Sequence, residues 1–303
     1  MGVTTASGAV PVSRPARLRH GRLAEIVRRP GGAVGLTIVV GLGLVALLAP
    51  WIAPYDPAQQ AIADRLQGPS SAHLLGTDQL GRDILSRVIY GTRIAFAVSL
   101  PAVAIALVVG LVLGLAAGYL TRTVDNALIV VMDTIQSFPG LILALAIIAL
   151  VGPSTLNLIL VLSLAFIPAY ARVTRALVLT VKQQPFVEAG RALGVRDLRI
   201  AVGHVLPNVI APLFIMLSMD VPTVITAEAG LSFLGLGVQP PTPSWGSILN
   251  DGFAHVEDSP WGIIAAGGAL MIATLGFTLL GETLRNVFDP KIVSGRSRWG
   301  QDV

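Results

Sequence analysis

The chain has 303 residues, of which 53% are hydrophobic and only 13% are charged, and its mean hydropathy is +0.75. A soluble domain carries about 25% charged residues, so this composition excludes an ordinary soluble protein and indicates one that crosses a membrane several times. The net charge of +4 does not call for a nucleic-acid partner, because the basic residues flank apolar runs, where they act as topology signals. The absence of cysteine excludes disulfides, thiolate metal sites and cysteine nucleophiles.

The first 32 residues are rich in arginine, and we predict that they form a cytoplasmic tail without stable structure. The run 33–53 that follows holds 21 uncharged residues, which is longer than the apolar core of a usual signal peptide. We therefore predict that this run remains in the mature chain as the first membrane span. An outer segment, 54–93, comes next, and in it four aspartates balance four arginines.

Five further apolar runs are each long enough to cross about 30 Å of hydrocarbon as a helix. They lie near 94–120, 127–151, 156–180, 205–230 and 261–282. The sequence thus predicts an all-α polytopic membrane protein with six transmembrane helices. Basic residues concentrate at both termini and in 182–204, whereas 232–260 holds no lysine or arginine, so we predict cytoplasmic termini and an outer 232–260. Arg172 and Arg175 fall inside the fourth run, and we expect them to face protein or to reach back to the inner surface.

A charged segment between the fourth and fifth runs has the pattern of a short helix. Pro185 suits the first helical position, where its missing N–H costs nothing, and Gly194 suits a left-handed terminator. Between them, Phe186, Ala189 and Leu193 form an apolar stripe at helical spacing. The segment is therefore predicted to be an amphipathic helix of about two turns.

The polar side of this helix offers an ion pair, because Glu188 and Arg191 stand three positions apart. A second short helix is predicted to begin at Asp197 and to turn into the membrane at Pro207. The residues alone leave two interpretations open. Either the helix rests on lipid headgroups, or it docks its apolar stripe into a groove of a cytoplasmic partner.

The same segment resembles the "EAA" loop of ABC-importer permeases. The matching positions in 187–208 are Glu188, Ala189, Gly194, Leu206 and Pro207, while Gly190 stands in place of the second alanine and His204 in place of an isoleucine. Four other stretches resemble the C-type subunit of the dipeptide, oligopeptide and nickel branch of this family. They are GTDQLGRDILSRVIYGTRIAF at 76–96, AEAGLSFLGLG at 227–237, QPPTPSWGSIL at 239–249 and ETLRNVFDPK at 282–291.

This resemblance implies a division of the chain and a function. Residues 33–75 are similar to the N-terminal module of C-type subunits, 76–291 to the permease core of the type I ABC-importer fold, and 292–303 would form a cytoplasmic tail. The implied protein lies in the bacterial cytoplasmic membrane and forms half of a translocation channel for short peptides. Its expected partners are a homologous permease subunit, two cytoplasmic ATPase subunits and an extracytoplasmic substrate-binding protein.

The resemblance also implies which residues contact the ATPase subunits. These coupling residues are Phe186, Glu188, Ala189, Gly190, Arg191, Leu193, Gly194, Leu206 and Pro207. The chain holds no G-x-x-x-x-G-K-[ST] phosphate loop, so it is not expected to hydrolyse ATP or to act as an enzyme. ATP and Mg²⁺ are expected in the partner subunits, and no metal or other cofactor is expected in this chain.

Two alternatives remain open at this point. The same architecture could import nickel or a metal chelate, and the sequence does not separate this from peptide import, because specificity in such systems lies largely in the binding protein. An ion-coupled secondary transporter would instead need intramembrane carboxylates. Asp133, Asp220 and Glu228 are the candidates for such a role and for the translocation path. Asp220 either faces a polar path or joins neighbouring helices, whereas Glu228 is expected to be structural.

Two smaller expectations complete the sequence picture. Three prolines in 239–249 enforce extended backbone and Trp245 favours a membrane interface, so we expect a rigid scaffold at the headgroups. The acidic loop 250–258 is expected to offer a docking surface to the binding protein. Relatives often carry an arginine three positions before Asp133, whereas this chain has Val130, so no arginine–aspartate pair is expected within that span.

Overall fold

The computed structural model describes residues 22–119 and 121–288. Within these ranges the chain is helical, and its β-structure is limited to an isolated bridge between Thr77 and Asp83. The helices are α1 (Arg22–Arg28), α2 (Pro30–Ile52), α3 (Ile84–Tyr119), α4 (Arg122–Gln136), α5 (Gly140–Val151), α6 (Thr155–Lys182), α7 (Pro185–Ala192), α8 (Asp197–Ile200), α9 (Leu206–Phe233), α10 (Trp245–Phe253) and α11 (Trp261–Phe288). A 3₁₀ turn at Ile62–Asp64 and a π-turn at Ala201–Val205 are added to these.

The described part of the N-terminal region is more ordered than the sequence predicts. Residues 1–21 lie outside the described residues, but 22–28 form α1. Ile26 of α1 is buried, and its carbonyl oxygen lies 2.2 Å from the position of a Cβ added at Gly32. An ion pair joins Arg29 to Glu25. The prediction of an unstructured tail up to residue 32 is therefore wrong in its last part, because α1 packs back onto the start of the first span.

Five of the described helical stretches are long and apolar enough to cross a membrane. They are Pro30–Ile52, Ile84–Tyr119, Thr155–Lys182, Ala201–Phe233 and Trp261–Phe288. The second of them begins ten residues before the predicted 94 because Asp83 caps it: the Ser86 N–H donates to Asp83 Oδ2 over 2.8 Å.

The predicted span 127–151 is not one helix. It is divided into α4 and α5, which are bent by 87° at the intervening residues. Pro139 causes the break, since it supplies no N–H and its own ψ of 124° is extended, so that the next helix begins only at Gly140. The run predicted as the third span is therefore a pair of helices broken at Pro139.

The packing of α3 on α6 shows that α4 and α5 together make one crossing. Glycines spaced four apart on α3 meet residues spaced four apart on α6, and a Cβ added at each glycine would lie 2.4 Å from its neighbour. The matched positions are Gly110 with Tyr170, Gly114 with Thr174 and Gly118 with Val178. Residue numbers rise together along this contact, so the two helices run parallel. The chain between them must return across the membrane, and α4–α5 is thus a broken sixth span.

Candidate coupling segment and transport path

Helix α7 presents most of its apolar stripe to its surroundings. Phe186 is 46% exposed and Leu193, just past the helix end, is 83% exposed. The side chain that fixes α7 to the rest of the chain is Val187, which is 1% exposed and was not singled out from the sequence. Because Val187 lies one position after Phe186, the helix can bury one side while the Phe186 and Leu193 side stays uncovered.

Gly194 ends α7 in the left-handed conformation that the sequence predicts, with φ at +76°. The Val195 N–H donates to the Gly190 carbonyl over 3.1 Å, which is the six-residue bond of a Schellman terminator. A Cβ at Gly194 would meet nothing within 4 Å, so the position is constrained by its backbone and not by space. At Gly190, a Cβ would lie 3.6 Å from Ile200 Cδ1, because α7 and α8 pack side by side there.

The second half of the segment continues into the membrane without the predicted turn at Pro207. The π-turn Ala201–Val205 links α8 to α9, and the Leu206 N–H donates to the Ala201 carbonyl, five residues back. Pro207 offers no N–H, and Asn208 Nδ2 donates to the His204 carbonyl over 2.6 Å. The helical path therefore remains continuous, because a wider turn and one side chain replace the hydrogen bonds that proline removes.

One ring contact ties the halves of the segment together, and a groove lies beside it. The Phe186 ring lies 6.3 Å from the His204 ring, and Val205, the next residue, is buried. An open groove of about 810 Å³ is lined by Leu193, Gly194, Val195, Arg196, Arg199, Val202 and Gly203. Glu188 is exposed, and the Arg191 side chain lies outside the described part, so their ion pair stays a prediction.

The three intramembrane carboxylates have different environments. Asp133 pairs with Arg172 of α6 over 2.8 Å, and both side chains are more than half exposed. Asp220 is half-buried in α9 next to the Tyr170 hydroxyl of α6. Glu228 is 0% exposed and accepts a hydrogen bond of 2.7 Å from Ser232. An arginine–aspartate pair does exist at Asp133, but its arginine comes from another helix, so spacing within the span could not reveal it.

None of these carboxylates lines the cavity of about 710 Å³ between α5, α6 and α9. That cavity is mainly apolar, and its wall includes Leu141, Ala144, Phe166, Thr223, Thr226 and Gly230. The threonine hydroxyl of Thr226 is already used, since it donates to the Pro222 carbonyl over 2.9 Å. The membrane part of the described chain thus offers an uncharged surface where helices leave space.

A buried group of four charges near the start of α3 was not predicted. Asp78, next to Arg82 and Arg87 in the GTDQLGRD stretch, accepts hydrogen bonds from both arginines. Asp251 Oδ2 of α10 accepts from the same two arginines, each over 3.0 Å. Asp251 therefore joins α10 to the start of α3. Asp251 is therefore not available to the docking surface expected at 250–258, because its carboxylate is already paired with two arginines of this chain.

Trp245 is also placed differently from the expectation. It is 0% exposed, lies against Gly91 of α3, and donates from Nε1 to the Val88 carbonyl over 3.1 Å. The stretch serves as a scaffold, but it is anchored in protein and not at the headgroups. Helix α10 is thereby seated on α3 by one indole ring and by the four charges.

Comparison with known families agrees with this architecture. Residues 110–294 match the family described as binding-protein-dependent transport system inner membrane component. The chain belongs to this family. Residues 23–69 match a second family, the N-terminal transmembrane domain of oligopeptide transport permease C. The protein is therefore a C-type permease subunit of an ABC importer and a multi-pass protein of the bacterial inner membrane. Neither matching family is an enzyme family.

Individual relatives cover almost the whole permease. The dipeptide transport system permease protein DppC of Alkalihalophilus pseudofirmus is 38% identical over 86% of both chains. The di/tripeptide transport system permease protein DppC of Pseudomonas aeruginosa is 37% identical over 93% of this chain and 96% of that one. The glutathione transport system permease protein GsiD of Escherichia coli is 38% identical over 95% and 96%.

A solved structure supports the fold of the permease. The MetNI methionine ABC transporter in inward-facing conformations contains a chain that superimposes with a TM-score of 0.55 at 16% identity. The match covers 68% of this permease and 98% of that chain. At this identity the likeness shows the fold alone. Membership of the family implies association with ATPase, substrate-binding and partner permease subunits.

Proposed function

We propose that this permease forms half of a channel that imports short peptides, and that 185–205 couples it to an ATPase subunit. The complete importer would hold one homologous permease, two ATPase subunits and an extracytoplasmic binding protein. The observation that carries the coupling role is the uncovered stripe of α7. Phe186 and Leu193 stay exposed although Val187, between them, is fully buried.

The exposed stripe has a physical reason to be covered in the assembled importer. Burying a side chain such as Phe186 or Leu193 contributes roughly 1.5–3 kcal/mol when it is fully covered. The groove beside Leu193 is bordered by exposed Arg196 and Arg199, so a partner with acidic residues next to an apolar ridge would fit it. A bilayer surface also offers apolar and anionic groups, and the experiment below separates it from an ATPase partner.

Peptides are the proposed substrate because the relatives carry peptide names. Two of them are named for dipeptides or di- and tripeptides, and a third for glutathione, which is itself a tripeptide. Nickel import is not favoured by these names. An ion-coupled mechanism is disfavoured at two of the three candidate carboxylates, since Asp133 is paired with Arg172 and Glu228 has no exposure.

The substrate proposal is tested by uptake into cells with and without the gene. We expect the deletion strain to lose uptake of labelled dipeptide or tripeptide and to keep normal nickel uptake. Loss of nickel uptake with unchanged peptide uptake would reverse the assignment. Restoring the gene on a plasmid provides the control for effects on neighbouring genes.

The coupling proposal is tested by co-purification of the ATPase subunits with tagged permease. Leu193→Asp should lower the ATPase yield and the ATPase rate stimulated by loaded binding protein, because a carboxylate would be buried in the interface. Leu74→Asp is the matched control, since Leu74 is 61% exposed in the outer segment. Normal yield and stimulation with Leu193→Asp would show that α7 merely rests on lipid.

A further inference from the structure

Helix α4 is attached to α6 by two ion pairs that involve both of its ends. Arg175 donates two hydrogen bonds to Asp125, from Nε to Oδ1 over 2.5 Å and from Nη2 to Oδ2 over 2.6 Å. At the other end, Arg172 Nη2 donates to Asp133 Oδ1 over 2.8 Å. The two aspartates are eight residues apart, about 12 Å along the helix, so together the pairs fix both the position and the direction of α4.

Apolar residues of α4 lie along one face at helical spacing. Within α4, all of which the structure describes, Met132 is buried and Val124, Leu128 and Ile135 are half-buried, whereas Val130 and Val131 are 63% and 55% exposed. The bidentate pair is the better shielded of the two, with Asp125 18% and Arg175 29% exposed. The Arg175–Asp125 pair therefore adds a bidentate, partly shielded charged link between α4 and α6 to this packing.

The junction between α4 and α5 lacks regular helical hydrogen bonds. The Phe138 N–H reaches the Ile135 carbonyl only at 3.4 Å, and the next helical bond along the chain runs from Leu143 to the Pro139 carbonyl. Phe138 and Pro139 thus separate two rigid helices by a short stretch without regular helical bonds, at an angle of 87°. A few residues of this kind can absorb a rotation of one helix against the other.

Helix α6 connects this arrangement to the coupling segment. It ends at Lys182, and only Gln183 and Gln184 precede α7. The Val187 N–H donates to the Gln184 carbonyl over 2.9 Å, so the turn is itself hydrogen-bonded. A displacement of α7 therefore reaches Arg172 and Arg175 through one short turn and a continuous helix.

We infer that Asp125, Asp133, Arg172 and Arg175 are positioning residues that make α4 move with α6 during transport. In this arrangement α4, which we call the strap, rotates relative to α5 about Phe138–Pro139 whenever the ATPase displaces α7. The inference rests on the proposed coupling role of 185–205. It adds a mechanical connection from the coupling segment through α6 to the broken span α4–α5. The other connection runs directly from the coupling segment into α9.

The first test measures coupling in the complete importer reconstituted in vesicles. Asp125→Asn should lower the peptide transported per ATP hydrolysed by about fivefold, the factor that corresponds to about 1 kcal/mol in a two-state equilibrium. The exchanged variant Asp125→Arg with Arg175→Asp should recover most of that loss, because it restores the pair with reversed charges. Arg29→Gln, which breaks an exposed pair with Glu25 on α1, is the control and should leave the ratio unchanged.

The yield of ATPase subunits that co-purify with Asp125→Asn distinguishes this inference from the coupling proposal. If these subunits co-purify normally and the transport ratio stays at the wild-type value, the strap is refuted while the coupling proposal stands. A failure of the exchanged variant to recover the ratio, at normal insertion and assembly, also refutes it.

The second test measures motion directly and uses the absence of native cysteine. Spin labels at Val131→Cys and Ile142→Cys report on α4 against α5, and labels at Val131→Cys and Leu179→Cys report on α4 against α6. Addition of a non-hydrolysable ATP analogue should change the first distance and leave the second unchanged. A constant distance between α4 and α5, or a changing one between α4 and α6, would overturn the inference.

Discussion

Gly194 gives the sharpest prediction for the coupling segment. Its φ of +76° lies in the left-handed region, where a residue with a Cβ costs about 1–2 kcal/mol. A Cβ built there meets no atom within 4 Å, so Gly194→Ala adds this backbone cost without a steric clash. The free energy of the bent segment should rise by that amount, which reduces its population about 5- to 30-fold. Gly194→Val should abolish transport, because branching at Cβ adds to the strain.

Gly190→Ala is the matched control for this prediction. Gly190 is helical, and the new methyl would lie 3.6 Å from Ile200 Cδ1, which is an ordinary contact. Replacing a helical glycine by alanine contributes about 0.8–1 kcal/mol to helix stability, so this variant should transport normally or better. It also restores the alanine that the family pattern has at this position.

The assay for both variants is peptide transport and stimulated ATPase activity in reconstituted vesicles, with co-purified ATPase as the measure of docking. We expect Gly194→Ala to reduce all three and Gly190→Ala to reduce none, while both insert into the membrane normally. Equal losses from the two variants would mean that the added volume matters and not the backbone conformation. Full activity of Gly194→Ala would refute the reasoning altogether.

Three further predictions concern charges and topology. Asp251→Asn should lower the free energy of unfolding by about 3–5 kcal/mol, because two buried arginines lose a charged partner. The measurement is the melting temperature in detergent, which the exposed Asp258→Asn should change little. Glu188→Ala should reduce coupling by no more than the 0–1 kcal/mol of an exposed ion pair, and a complete loss of ATPase stimulation would contradict this. An impermeant thiol reagent on intact cells should label Ser70→Cys and spare Arg196→Cys; labelling of both would reverse the predicted orientation of the coupling segment.

The sequence predicts those features that depend on local patterns. Apolar runs of about 20 residues place the long helices, because no other structure satisfies the backbone of such runs in hydrocarbon. Gly194 is equally predictable, since a glycine after a short amphipathic stretch suits the left-handed position that ends a helix. Pro139 marks an interruption of the third apolar run, because proline cannot continue a helix. The angle of 87° between α4 and α5 depends on packing, which the local pattern does not contain.

Contacts between residues that are far apart in the chain could not be predicted from the sequence. Asp133 has no arginine at helical spacing in its own span, and its partner Arg172 stands 39 positions later. Asp251 is separated from Arg82 by 169 positions, so its acidic neighbours suggest an exposed loop although its charge is used inside. Trp245 was misplaced for the same reason, because an indole that suits a membrane interface suits a glycine-lined pocket of protein equally well.

The uncharged cavity gives a physical reason for specificity to lie elsewhere. Its wall carries no ionised group, and the hydroxyl of Thr226 is already bonded to its own helix. Such a wall offers no charged partner for the termini or the charged side chains of a peptide. The charged residues of the membrane region act instead between helices, at Asp133 with Arg172 and at Asp125 with Arg175. These charges hold helices together in the described residues, and we propose that selection among peptides lies with the binding protein.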